Sequence, residues 1–424
     1  MNSLFKNFFA NKSRFHFNLT FFGIIKKCFF YIKNYKVDYH QILIHKFKIY
    51  FSKSNIFFFN HGRSGFFLLL KYFNKRTKKK VLINSLTLFE MINMVIYAEY
   101  DPVFIDNKKN SFETNTIELI NKYQEEIAFV VVTHLNGLNK EIFEIKNKID
   151  QINKNRKQED KIYLVEDTAV SFGAKYKNVF CGAVGDFSIL SFNIMKNITS
   201  LTGGALVDNI NIINSKKINF SQSKVSIKDI TKKIFFVFLL QFLNSKIIFP
   251  FFFVFIKFAY KRNINFFLRK YRTDFQTYIS NSIPFDFLKK ISNFQLFLLS
   301  DQLEDIEFNN NIRIENSKYL YENLKDNKNL LFPQKIFNQE NIYIDFPILC
   351  KKKEYKDYIF LKSFDSYVDI KNYYYTSCDT QEIYFKYKDI DCENAKFIAE
   401  NILMVPVNKS QNRRNLDKIV KLFN

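Results

Sequence analysis

Asn55–Asn84 reads NIFFFNHGRSGFFLLLKYFNKRTKKKVLIN. Its first apolar run, Ile56–Phe59, is short and aromatic, the signature of a strand. NHGRSG (Asn60–Gly65) interrupts that run with two glycines, as a turn does. Arg63–Phe73 is then apolar over a helical length, and Lys79–Asn84 is a second short run bounded by charge. The stretch is therefore a strand–helix–strand unit.

The same rhythm continues downstream. Leu88–Tyr100, Asn115–Tyr123 and Lys140–Ile152 read as helices, and Pro102–Asp106, Glu126–His134, Asp160–Asp167, Asp186–Phe192 and Gly203–Asp208 read as strands. Short, fully apolar runs alternating with helices predict an α/β fold, a mostly parallel sheet of the seven-stranded type sandwiched by helices. Past about residue 284 the order helix, strand, helix, helix, strand, helix predicts a smaller α+β C-terminal domain. The expected division is 1–50, a basic and apolar N-terminal arm; 51–215, the major domain; 216–284, an apolar insert with basic flanks; and 285–424, the small domain.

The insert holds the most apolar stretch of the chain, Ile234–Tyr260. Gln241, Asn244, Ser245, Lys246 and Pro250 split it into halves that are each too short to span a bilayer, which takes about 20 apolar residues. Lys232 and Lys233 precede it, and Lys261, Arg262, Arg269, Lys270 and Arg272 follow. Three readings are open: a helical hairpin lying in a membrane interface as a peripheral contact through 234–260, a helix pair buried against the core or a subunit partner, and, least favoured by the interruptions, a true span.

Composition narrows the function. With 424 residues, 47% hydrophobic and 25% charged, the chain is a folded globular protein. Its net charge of +23 is compatible with an anionic partner. The lysines are scattered, however, and Gly (9), Pro (6) and Trp (0) are scarce beside 53 Phe, a pattern that coding bias produces. No nucleic-acid module is present, and no nucleic-acid partner is expected. Cys28, Cys181, Cys350, Cys378 and Cys392 are widely spaced with no C-x-x-C pair, which argues against a disulfide framework and a zinc site and for a reducing compartment. No metal is expected. Residues 1–36 lack a small-residue cleavage site, so a cleaved signal peptide is not expected and the location reads as cytoplasmic.

Parallel sheets bind ligands beyond the carboxyl ends of their strands. There the sequence places Asp167, Ser191, Lys196 and the NHGRSG turn. The turn's glycines and free N–H groups at a helix start form a phosphate seat. A lysine amine forms a Schiff base with an aldehyde, and a carboxylate can keep a pyridine nitrogen protonated. Together these are the requirements of a pyridoxal phosphate enzyme.

The stretch EDTAVSFGAKYKNVFCGAVGDFSILSFNIMKNITSLTGGALV (Glu166–Val207) resembles the core signature of the DegT/DnrJ/StrS sugar aminotransferases. HGRSGFFLLLKYF, NMVIYAEYDPVFID and VVTHLNG match further blocks in the same order, and QLEDIEFNNNIRIENSKYLYENL and CENAKFIAENILMVPVN are similar to the C-terminal part. The resemblance implies pyridoxal 5′-phosphate as cofactor. It makes Lys196 the covalent attachment point and proton carrier, Asp167 the partner of the pyridine nitrogen, and Ser191 with Gly62, Arg63 and Ser64 the holders of the phosphate. It implies a nucleotide-sugar substrate, an amino-acid donor (glutamate) and a homodimer, in the service of surface polysaccharide or amino-sugar biosynthesis. Val170 stands where the family has Gln or His, and Thr87-Leu88 where it has Thr-Phe. Two other readings compete: a membrane-associated scaffold that has lost catalysis, and a cofactor-dependent sugar dehydratase. The Asp167–Ser191–Lys196 set opposes the first, and Lys196 opposes the second.

Overall fold

A computed structural model describes residues 12–74, 76–135, 141–215, 218, 223–262, 264, 283–332, 341–372 and 376–424. Two helices, α1 (Phe21–Lys33) and α2 (Tyr39–Phe47), precede strand β1 (Asn55–Phe59) and α3 (Gly62–Tyr72). Then come β2 (Lys80–Asn84), α4 (Phe89–Tyr97), β3 (Asp101–Ile105), α5 (Thr116–Tyr123), β4 (Ile127–Thr133), α6 (Ile142–Asn153) and β5 (Tyr163–Asp167). The hairpin β6 (Lys175–Tyr176) and β7 (Val179–Phe180) leads to β8 (Phe187–Ser191) and β9 (Gly204–Asp208). The remainder comprises α7 (Ile227–Leu243), α8 (Phe249–Lys261), α9 (Asn293–Gln302), α10 (Ile306–Leu324), β10 (Leu330–Leu331), β11 (Asp345–Cys350), α11 (Lys353–Asp365), α12 (Glu393–Asn401), β12 (Ile402–Pro406) and α13 (Arg413–Phe423).

The large sheet has seven strands in the order β1-β9-β8-β5-β4-β2-β3. It is parallel from β3 to β8 and antiparallel only where β9 joins β8 and β1. The α/β expectation, a mostly parallel seven-stranded sheet between helices, thus matches the observed architecture. Strand alternation explains the two helical layers. On β4, Phe129 and Val131 face the side covered by α3 and α4, while Val130 and Val132 face α5 and α6. Toward the other edge, Phe58, Leu190 and Val207 pack under α2 and α9. A second, antiparallel sheet, β10-β11-β12, carries its own core with α10, α11 and α13.

Two regions differ in detail from a simple arm and appendage. Within 1–50 the chain forms α1 and α2, and Leu43 and Phe47 of α2 are fully buried on the large sheet; burial contributes on the order of 2–3 kcal/mol for each. Within 285–424, Cys378, Tyr384, Cys392 and Ile398 join the same core as α4, so the C-terminal third is fused to the major domain. Ile234–Tyr260 forms the ends of two helices, α7 and α8, with the turn Asn244–Ile248 between them. Among the described residues no helix is long and apolar enough to cross a membrane.

Candidate active site

The carboxyl ends of β1, β2, β4, β5 and β8 converge on one cavity of about 350 Å³. His61, Gly62 and Arg63 enter it from the β1–α3 junction, Thr87, Leu88 and Glu90 from β2–α4, Thr133 from β4, Asp167, Ala169 and Val170 from β5, and Ser191 and Lys196 from β8. Arg14 and Phe15 close it from the N-terminal segment, and Lys371 closes it from the C-terminal third.

Lys196 lies on the loop that joins antiparallel β8 to β9. The loop is closed by Phe192 N–H to Gly203 O at 2.8 Å and Ser200 N–H to Phe192 O at 3.0 Å. Buried Asn197 donates to Phe172 O at 2.6 Å, and the Gln302 side chain pairs with both the N–H and the carbonyl of Thr199. Asn18 donates to the carbonyls of Lys196 and Asn197, at 2.9 and 2.7 Å. The lysine backbone is thus fixed from two sides while its side chain faces the cavity.

Burial pulls the Lys196 amine down to about 8; Lys371 and Arg63 push the same way and Asp167 opposes them. Asp167 ends β5, accepts from Ala169 N–H at 3.1 Å, and is raised above the ordinary carboxylate value by burial, against the pull of Ala169, Lys196 and His134. Each feels the other's charge, yet among the described residues no ion pair joins them. They bracket a gap rather than close on one another.

Neighbouring strand residues point to opposite faces, so Glu166 turns away from the cavity. It accepts from Gly182 N–H (2.9 Å), Val184 N–H (2.8 Å), Gly185 N–H (2.5 Å) and His134 Nε2 (3.0 Å). Burial disfavours a charged His134 ring, but the Cys181 sulfur and the Glu166 carboxylate outweigh it and raise the ring to about 10. His134, Glu166 and Cys181 lie within 4.8 Å of one another. With Glu166 already accepting four donors, the cluster reads as a structural anchor beneath the site.

The anion seat is built from backbone. α3 has no side-chain cap and no acid in its first turn, so the positive end of its dipole meets the cavity at Gly62 and Arg63. A Cβ on Gly204 would fall 2.2 Å from Gly62 N, and one on Gly62 would fall 2.6 Å from Leu190 O. Only glycine allows the helix start to touch the β8–β9 pair. Gly204→Ala should therefore cost about 3 kcal/mol or more, at or above the usual overpacking range, and abolish cofactor uptake. A thermal midpoint and cofactor absorbance equal to wild type would contradict this.

Of the six residues singled out in the sequence, five line the cavity: Lys196, Asp167, Ser191, Gly62 and Arg63. Ser64 does not. Its hydroxyl donates to Phe287 O and its N–H donates to His61 O at 3.2 Å, so both are spent within the protein. Arg63 pairs with Glu90 at 2.5 Å and lies over the Phe287 ring. Leu88 and Val170, the departures from the family pattern, both line the cavity and give it aliphatic walls beside Ala169. Sequence reasoning did not find Arg14, Glu90 or Lys371. Arg14 is tied to Asp369 and to Ile370 O at 3.0 Å, and Lys371 to Asp345; none of the three ends a recognisable apolar run. An anion seat, a carboxylate and a lysine of lowered pKa lining one cavity fit a flat ring that bears a phosphate, a basic nitrogen and an aldehyde.

The sequence profile of the DegT/DnrJ/EryC1/StrS aminotransferase family matches residues 37–234 and 265–424. The chain is 26% identical over 141 residues to a GDP-perosamine synthase of Escherichia coli O157:H7, covering 33% of this chain and 36% of that protein. It is 31% identical over 134 residues to UDP-4-amino-4,6-dideoxy-N-acetyl-beta-L-altrosamine transaminase of Campylobacter jejuni, covering 31% and 34%. The chain thus spans little more than a third of the length of these curated relatives. Helicobacter pylori PseC, an aminotransferase involved in the biosynthesis of pseudoaminic acid, superposes with a TM-score of 0.67 at 15% identity, over 92% of this chain and 91% of that one. That likeness speaks for the fold.

Proposed function

The chain belongs to the DegT/DnrJ/EryC1/StrS aminotransferase family, and from this premise we propose that it is a pyridoxal 5′-phosphate-dependent aminotransferase acting on a nucleotide-linked keto-sugar. The reading rests on one observation: Lys196, Asp167, Ser191 and the start of α3 open into a single cavity. When bound, the cofactor supplies an aldehyde that takes up amines and a ring that draws electrons from the adjacent carbon.

The chain's own groups do the rest. The α3 N-terminus and Ser191 hold the phosphate, and Asp167 keeps the proton on the ring nitrogen. Leu88 and Ala169 confine the ring between aliphatic walls and exclude water from its faces. Lys196, with its amine lowered to about 8, holds the aldehyde at rest and afterwards takes and returns the proton at the donor and acceptor carbons. Arg63, Arg14 and Lys371 border the cavity, each already matched to a carboxylate, Glu90, Asp369 and Asp345 in turn, and are the groups proposed to share hydrogen bonds with a nucleotide diphosphate and a donor carboxylate. Glutamate is the proposed donor, a second copy of the chain the proposed partner, and surface polysaccharide or amino-sugar synthesis in the cytoplasm the proposed setting.

The test is direct. Purified protein should show the visible absorbance of lysine-bound cofactor, which borohydride bleaches. Incubation with glutamate and a panel of UDP- and GDP-linked 4-keto sugars should yield an amino-sugar nucleotide by mass spectrometry. Protein that stays colourless after incubation with the cofactor would overturn the reading. The neutral amine is the form that attacks, and its fraction grows as pH rises. Cofactor uptake by apoprotein should therefore quicken about tenfold per pH unit up to about pH 8 and then level off. A rate still climbing toward the ordinary lysine value of about 10.4 would mean the amine is not desolvated.

A further inference from the structure

Two stretches fall outside the family pattern at the N-terminal end and within the insert, 1–36 and 235–264. Together they hold eleven Lys or Arg and no Asp or Glu, in a chain with 41 acidic residues. Folding brings them into contact. The rings of Phe21 on α1 and Phe238 on α7 lie 4.7 Å apart, and the Gln241 side chain accepts from Phe21 N–H and donates to Leu19 O.

The surface these helices present is apolar. Of the side chains of α7 only Val237 is buried. Phe235, Leu239 and Phe242 stand at i, i+4 and i+7 and are 63%, 41% and 51% exposed. The same stripe carries exposed Lys232 and Lys228 one and two turns earlier. α8 buries Phe249, Phe253, Ile256 and Ala259 and leaves Val254 and Phe258 exposed. Along α1 the exposed stripe alternates Phe22, Lys26, Phe29 and Lys33. Contiguous exposed aromatics on this scale mark an interaction surface.

Charge decides what covers it. A two-fold contact between copies sets the same patch against itself, so the exposed lysines of α1 and α7, Lys26, Lys33, Lys228 and Lys232, would meet their own like. An anionic bilayer surface does the opposite: aromatic rings enter the headgroup region while lysine stems lie along it and their amines reach the phosphates. We propose that α1, α7 and α8 form a docking surface for an anionic lipid bilayer, on which the protein lies without spanning it.

Cosedimentation of the full chain tests this, using vesicles of pure phosphatidylcholine and of phosphatidylcholine with about one-third phosphatidylglycerol. Binding to the anionic vesicles should be at least about tenfold tighter and should weaken as salt is raised from about 0.1 to 1 M. The variant F235S/L239S/F242S should lose this binding while keeping the wild-type thermal midpoint, and K26E/K33E should lose the preference for anionic lipid. Failure of wild-type protein to cosediment would overturn the proposal, as would undiminished binding by the triple variant. A solution mass that halves in the triple variant without lipid would assign the surface to a second copy instead. None of these readouts depends on the cofactor or on turnover, so the membrane proposal and the enzyme reading stand or fall separately.

Discussion

Replacing Lys196 with alanine is expected to remove the visible cofactor absorbance and lower kcat by roughly three to four orders of magnitude. Of the two lysines that line the cavity among the described residues, Lys371 is paired with Asp345, whereas burial keeps the Lys196 amine at about 8. The side chain makes no ion pair among the described residues, and its loop is held by Asn18, Asn197 and Gln302 through backbone atoms. Folding should therefore be untouched. The variant should melt at or slightly above the wild-type temperature, because a buried amine that resists protonation favours the unfolded chain. Lys196→Ala with wild-type absorbance and turnover would remove the proposed mechanism. Loss of turnover together with a collapsed melting point would mean the lysine is structural.

Glu166→Gln is expected to give the opposite profile, a loss of about 3–5 kcal/mol in stability measured as the shift of a denaturant midpoint. Three backbone N–H groups and His134 converge on this carboxylate, and none of its atoms opens into the cavity. An amide would turn an NH₂ toward donors and leave the raised His134 without its countercharge. The loop Gly182–Gly185 would loosen, and the start of β8, which carries Ser191 at its far end, would loosen with it. A midpoint within about 1 kcal/mol of wild type would show that the network is not the anchor its hydrogen bonds describe.

Much of this was legible in the sequence for a physical reason. Strands buried on both faces have no room for polar alternation, so runs such as Ile127–Val132 stand out from the helices around them. Sheet geometry then marks the region after those runs as the place to look, and Asp167, Ser191 and Lys196 lie there. What stayed hidden is long-range. Cys378, Tyr384 and Ile398 complete the core beneath α4 from the far end of the chain, and nothing local marks them. Lys371 is one cation among 64 Lys and Arg. The helices α1 and α2 were masked because Phe and Lys are mixed throughout residues 1–50, which blurs the contrast between buried and exposed faces. The direction of the Ser64 hydroxyl was not legible because a helix-start hydroxyl can face a ligand or its own fold, and here it reaches the carbonyl of Phe287.

The segment bearing Arg14, Phe15 and Asn18 sits ahead of the part of the chain shared with relatives, yet it closes the mouth of the cavity and fastens the lysine loop. Part of the entrance and part of the scaffold under the lysine therefore lie ahead of the residues that the family profile matches. A change at Asn18 would reach the lysine through its loop, and a change at Arg14 or Phe15 would reshape the entrance, although none of the three lies within the family's common stretch.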